Sequence, residues 1–148
     1  MEAERIEHAI IQWECQQLLS RMTNLMDQQQ WQALANCYTQ DAVLSRPSDP
    51  DNPIQGRQAI LESLSARPPR TSAHIIVNSV FTIISQEDVR ADSRIWLISG
   101  PADASSPVIA NSPLLIGSFT DHIKRLENQW LVAQRDGSIE MKFVAENN

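Results

Sequence analysis

The sequence predicts an α+β fold, with helices packed on one face of a meander-like antiparallel sheet. Three observations carry that reading. Apolar residues recur at spacings of three and four through much of the first half. The second half changes to four long, strand-like segments separated by turn signals. Between the halves, Pro68-Pro69 stops the last helical stretch.

From about Glu4 to Met26, the residues Ile11, Cys15, Leu18, Met22 and Leu25 form one apolar stripe that no proline interrupts, which predicts a long helix. In "DQQQWQALANCYTQDA", Trp31, Leu34, Ala35 and Tyr38 predict a second, shorter helix. "AVLS" (Ala42 to Ser45) reads as a short strand. "RPSDPDNPIQG" reads as a loop, because three prolines and three Asp or Asn residues in eleven positions oppose both a helix and a paired strand. "RQAILESLSAR", from Arg57, resumes helical spacing with Ile60, Leu61 and Leu64. Strands follow at about 72–85, 88–98, 112–126 and 129–144. They are separated by "QE", by the loop "SGPADASSPVIANSP" and by "LENQ", a short hairpin signal. A connection as long as the second suits a functional edge or lid better than a simple turn.

The 148 residues suffice for one ordinary domain with a core. A hydrophobic fraction of 42% and a charged fraction of 20% are globular rather than disordered. The net charge of −6, with Lys and Arg scattered mostly singly, argues against nucleic-acid binding. No apolar run approaches the ~20 residues that span a bilayer. "MEAERIEHAI" is acidic and amphipathic, unlike a signal peptide, so a cytoplasmic protein without membrane association is expected. Cys15 and Cys37 fit that setting as small core thiols. His8, His74 and His122 lie far apart and lack a ligand cluster, so neither a metal nor another cofactor is expected.

The stretch "RTSAHIIVNS" (70–79) sets the functional question. Residues two apart on a strand share a face. Strict alternation puts His74, Ile76, Asn78 and Val80 on one side, and Ile75, Val77 and Phe81 on the other. The first face reads as a pocket wall, mostly hydrocarbon with two polar groups, or as a half-solvated sheet. The second is wholly apolar, which suggests a further copy of the chain covering it.

The order of "LLSRMTNLMDQQQWQALANCYTQDAVL", "QGRQAI", "SAHIIVN" and "GSFTDHIKRLENQWLVAQRDG" resembles the SnoaL-like branch of the NTF2-like superfamily, from about Ile6 to Phe143. The resemblance implies a cone: three N-terminal helices closing over a strongly curved antiparallel sheet, with a pocket in the hollow. It also implies a homodimer or homotrimer formed through the outer sheet face. In members of the scytalone dehydratase and hexachlorocyclohexane dehydrochlorinase type, an aspartate ending the first helix and a histidine early on the first long strand form a dyad. Matched by motif, these are Asp27 in "LMD" and His74 in "SAHIIVN". The dehydrochlorinase type also has an arginine after the tryptophan of the last strand, which matches Arg135 in "WLVAQR". The resemblance thus implies a cofactor-independent lyase or isomerase. Its pocket, built by Leu18, Met22, Ile76, Asn78 and Val80, would take a small apolar organic ligand. Two departures matter. Met22 stands where related enzymes carry a lysine or tyrosine donor. Arg46 stands where ketosteroid isomerases place their base, which argues against that chemistry.

Imidazole has an unperturbed pKa of about 6.5 and accepts a proton near neutrality. A carboxylate on one ring nitrogen fixes the tautomer and stabilises the imidazolium, leaving the other nitrogen for substrate. Arg135 would hold a leaving anion or oxyanion. Structural readings stand beside these. "DQQQ" is also a capping-box pattern, so Asp27 serves equally as a cap for the second helix. His74 reads also as a hydrogen-bonded core histidine, Asn78 as a residue satisfying backbone, and Arg135 as a salt-bridge partner. Asp121 and His122 are adjacent on a strand, so Asp121 faces the pocket only if His122 faces away. The non-catalytic alternative is a ligand-binding or oligomerisation module of the same fold.

Overall fold

A computed structural model describes residues 1–145. The elements in chain order are α1 (Glu2–Asp27), α2 (Trp31–Ala35), β1 (Tyr38–Arg46), β2 (Asp49–Gln55), α3 (Arg57–Ser65), β3 (Thr71–Ser85), β4 (Asp88–Gly100), β5 (Leu114–Leu126) and β6 (Gln129–Phe143). The strands form one curved sheet in the order β2-β1-β6-β5-β4-β3. All pairings are antiparallel except β1 with β6, which is parallel. The architecture is α+β, with the helices gathered on one face.

The core follows the stripe of α1. Cys15, Leu18, Leu19 and Met22 are buried in one cluster with Ile60 and Leu64 of α3 and with Val89, Ile123 and Val132 of the sheet. Trp130 ties β6 to α1, its indole N–H donating to Glu14 Oε2 at 2.8 Å. Of the other tryptophans, Trp31 is half-buried, while Trp13 and Trp96 are exposed. The turn between β5 and β6 places Glu127 and Asn128 at φ 50° and 63°, the left-handed pair that a two-residue hairpin needs. No helix among the described residues is long and apolar enough to cross a membrane.

Three expectations from the sequence are corrected. Tyr38 belongs to β1, not to the second helix. That helix ends at Ala35, and the Val132 N–H donates to the Cys37 carbonyl, drawing the chain into the sheet beside β6. The proline-rich segment is not an unpaired loop. It contains β2, with Ile54 opposite Leu44 and Gln55 opposite Val43. Prolines are tolerated because β2 is an edge strand, where the missing N–H of Pro50 or Pro53 costs no inner ladder bond.

The third correction concerns β3. Three steps from Val77 to Val80 face only two from Arg94 to Asp92 on β4, so β3 carries a bulge. Asn78 sits in it at φ 54°, a conformation that asparagine tolerates better than most residues. The extra residue resets the alternation. Phe81 and Ile83 pack on the core, while Val80 is 63% exposed on the outer face. Asn78 is exposed as well.

Candidate active site

The inner face of the sheet, α1 and α3 enclose a cavity of about 570 Å³. Its floor is hydrocarbon: Leu97 and Leu115 continue the cross-strand row that begins at His74, and Ile95, Phe119 and Ile139 extend it. Met22 and Thr23 of α1 close one side. Of the predicted wall residues, Met22 and His74 line this cavity. Leu18 and Ile76 pack into the core instead, because the space beneath the middle of α1 is filled by side chains. Asn78 and Val80 are removed from the wall by the bulge.

Asp27 is the last residue of α1, one turn beyond Thr23. It does not cap α2; the residue at that cap is Gln30, which makes no side-chain bond there. The carboxylate instead reaches across to β3. Its Oδ1 lies 2.6 Å from His74 Nδ1 and accepts from Ser72 Oγ at 2.8 Å. Its Oδ2 accepts from the backbone N–H of His74 at 2.8 Å. Strand alternation explains the trio, since Ser72 and His74 share a face and the backbone N–H between them completes a cradle. Burial raises the Asp27 pKa, but the bonds from His74 and Ser72 outweigh it and hold the carboxyl below its usual value. An ionised carboxylate only accepts, so the proton of the neutral ring sits on Nδ1 and Nε2 is left as an acceptor.

Arg135 enters the same cavity from β6, nearly fully buried. Its cross-strand partner on β5 is Asp121, which is fully buried. Nε and Nη2 donate to the two Asp121 oxygens at 2.6 and 3.1 Å, and the guanidinium carbon lies 4.2 Å from the centre of the Phe119 ring. Burial opposes the charge of Arg135. Asp121, and next Tyr38, more than compensate and push its pKa above the ordinary value. His122 points away from this pair, as strand parity requires.

Tyr38 is the site residue that sequence reasoning missed. It is buried and lines the cavity that Arg135 enters, near enough for each to act on the pKa of the other. Burial raises its pKa, so the phenol keeps its proton and stays a donor. Placing it at the start of a strand rather than the end of a helix would have aimed it inward. Both cysteines are unpaired and buried. Burial, with Glu14 adding, pushes the Cys15 thiol up to about 12, and burial also raises that of Cys37, so neither is a ready nucleophile. Among the described residues, no three His, Cys, Asp or Glu side chains gather in a metal-ligating group.

The model of the SnoaL-like domain matches residues 7–136. A putative scytalone dehydratase from Novosphingobium aromaticivorans is similar over 97% of this chain and 93% of its own, at 16% identity and a TM-score of 0.80. A type 2 hexachlorocyclohexane dehydrochlorinase is similar over 93% of this chain and 90% of its own, at 15% identity and a TM-score of 0.78. An NTF2-like protein with a cystatin-like fold, also from N. aromaticivorans, gives 15% identity over 93% of this chain and 86% of its own, with a TM-score of 0.73. At these identities the similarity establishes the fold. No curated protein matches the sequence.

Proposed function

The chain belongs to the SnoaL-like domain family, and from that premise we propose that it is a cofactor-independent lyase or isomerase using His74 as general base. The observation that carries this reading is the 2.6 Å contact between Asp27 and His74, whose ring lines a largely apolar cavity. Asp27 holds Nδ1–H, and Nε2 takes a proton from a carbon next to a carbonyl or leaving group. In an elimination, the C–H pair becomes the new C=C bond and the leaving group departs with its own pair. The imidazolium then returns its proton to the leaving group or to water. In an isomerisation, the proton returns to another carbon. The Tyr38 hydroxyl, backed by Arg135, donates to oxygen that gains charge on the way. Arg135 itself acts through Tyr38, because Asp121 already occupies two of its N–H groups. Two proteins of similar fold are named for the loss of water and of hydrogen chloride, which supports the elimination branch.

The test is proton exchange. Small β-hydroxy and β-halo carbonyl compounds are incubated with the protein in D₂O and followed by NMR, alongside the His74 ring resonances. Deuterium at the acidic carbon, or an elimination product, is expected. Ligands that shift the His74 ring signals without any exchange would instead establish a binding module.

We also propose a homo-oligomer, a dimer or trimer, formed through the outer sheet face. Ile75, Trp96, Ile116 and Met141 form one cross-strand row there, and Ile75, Trp96 and Met141 are exposed in the single chain. Sedimentation of the wild type is expected to give a multiple of 16.7 kDa, and Trp96→Glu is expected to shift it to the monomer. A monomeric wild type contradicts this assignment.

A further inference from the structure

The cavity carries more positive charge than its chemistry as a base site requires. Arg46, Arg67, Arg70 and Arg135 all line it, and no aspartate or glutamate does. Arg135 is neutralised by Asp121, and Arg46 shares Asp49 at 3.3 Å. Arg67 and Arg70 have no carboxylate partner among the described residues. The only side-chain hydrogen bond of Arg67 among them is a weak one to the Met26 sulfur at 3.8 Å. Burial, and then the charges of Arg46 and Arg70, pull the Arg67 pKa down, as expected of like charges crowded at one place. The Nε of Arg46 is buried without any acceptor. This concentration occurs in a chain whose net charge is −6.

The geometry also holds these groups in position. Arg67 and Arg70 flank Pro68-Pro69 in the connection from α3 to β3, where the rings restrict the backbone. The Arg70 carbonyl accepts from Gln29 Nε2 at 3.0 Å, tying the connection to the end of α1 beside Asp27. Both arginines also line a small side cavity with His74 and Ser72, so the charges stand next to the candidate base.

We propose that Arg67, Arg70 and Arg46 form an oxyanion subsite at one side of the cavity. The ligand is then an apolar body bearing a carboxylate or phosphate ester group, not a wholly apolar molecule. Guanidinium groups suit this role because their planar forks match oxyanions bidentately. This deepens the reading of the pocket given above, but it concerns binding and does not depend on His74 acting as a base.

The experiment measures binding of 4-phenylbutyrate, its uncharged amide and phenyl phosphate by calorimetry at low salt. Proteins compared are the wild type, the Arg67→Gln/Arg70→Gln double variant, Arg90→Gln as a charge control on the outer face, and His74→Ala. One of the two anions is expected to bind the wild type about tenfold or more tighter than the amide, with the preference fading as salt rises. The stronger anion identifies the oxyanion. The preference should fall to roughly twofold or less in the double variant and persist in Arg90→Gln and His74→Ala, scaling as one charge-assisted contact does. Persistence in His74→Ala separates failure of the base assignment from failure of the subsite. If the double variant does not fold, Arg70→Gln alone, at an exposed side chain, is expected to lose part of the preference. Equal binding of acid and amide by the wild type, no binding of any probe at millimolar concentration, or an undiminished preference in the folded arginine variants overturns the proposal.

Discussion

His74→Ala is expected to lower turnover by about 10²–10⁴-fold, the usual contribution of a positioned general base. Asp27→Asn should lower it over a similar range, though the ring remains. Three donors converge on Asp27: Ser72 Oγ, the His74 backbone N–H and Nδ1–H. An asparagine has one acceptor oxygen and one NH₂ group, so at least one donor would face another. The ring then relieves the conflict by turning or by moving its proton to Nε2, which removes the base. The KM of each variant should change far less than kcat, because neither residue supplies most of the apolar contact area. The same carboxylate gives a stability signature. The folded pKa of Asp27 lies below its unfolded value, so its contribution is fully present above about pH 4 and is lost as pH falls through the depressed folded value. In urea titrations, wild type should exceed Asp27→Asn by a constant margin near neutrality, and the margin should shrink below about pH 4. A margin that does not change with pH would mean that Asp27 is neutral or unbonded in the fold.

What the sequence disclosed depended on how local each signal was. The helical stripe of α1 and the four long strands follow from periodicity, and their observed ends lie within about two residues of those expected. Asp27 and His74 came from a motif resemblance. Helical geometry gave no reason for Asp27 to face inward, because its partners are 45 and 47 residues away on β3. Asn78 and Val80 went wrong for a different reason. A period-2 argument holds only until an extra residue is inserted, and a bulge leaves little sequence trace beyond an asparagine in an apolar run. The edge strand β2 was hidden because composition opposed it, and only the sheet order shows that one side of it needs no partner. The arginine subsite was scattered over "SRP" and "ARPPR", segments read separately as loop and helix end. Only the fold brings them to one cavity.

Asp121→Ala is expected to cost about 3–5 kcal/mol of folding stability, the cost of leaving a buried guanidinium without its counter-ion. That is a large share of the roughly 5–15 kcal/mol that holds an ordinary domain together. The reason is geometric. Asp121 is fully buried and Arg135 is 5% exposed, and two short bonds with the Phe119 ring beneath them are what keep the cation in the fold. Removing the carboxylate leaves Arg135 without a counter-ion, and it must either drag in water through the cavity or move toward it. Removing both charges is a different experiment. Asp121→Leu with Arg135→Met should recover much of the loss, since the cost lies in the uncompensated ion rather than in the missing bonds. Asp92→Ala, in the exposed pair with Arg90, should change stability little by comparison. The double variant separates two roles for the pair. If Arg135 only fills space, restored stability brings restored turnover. If Arg135 polarises the Tyr38 hydroxyl, a folded and stable double variant still turns over slowly, with kcat reduced and KM nearly unchanged. Equal stability of Asp121→Ala and wild type in urea denaturation would show that the arginine is not buried as a charge.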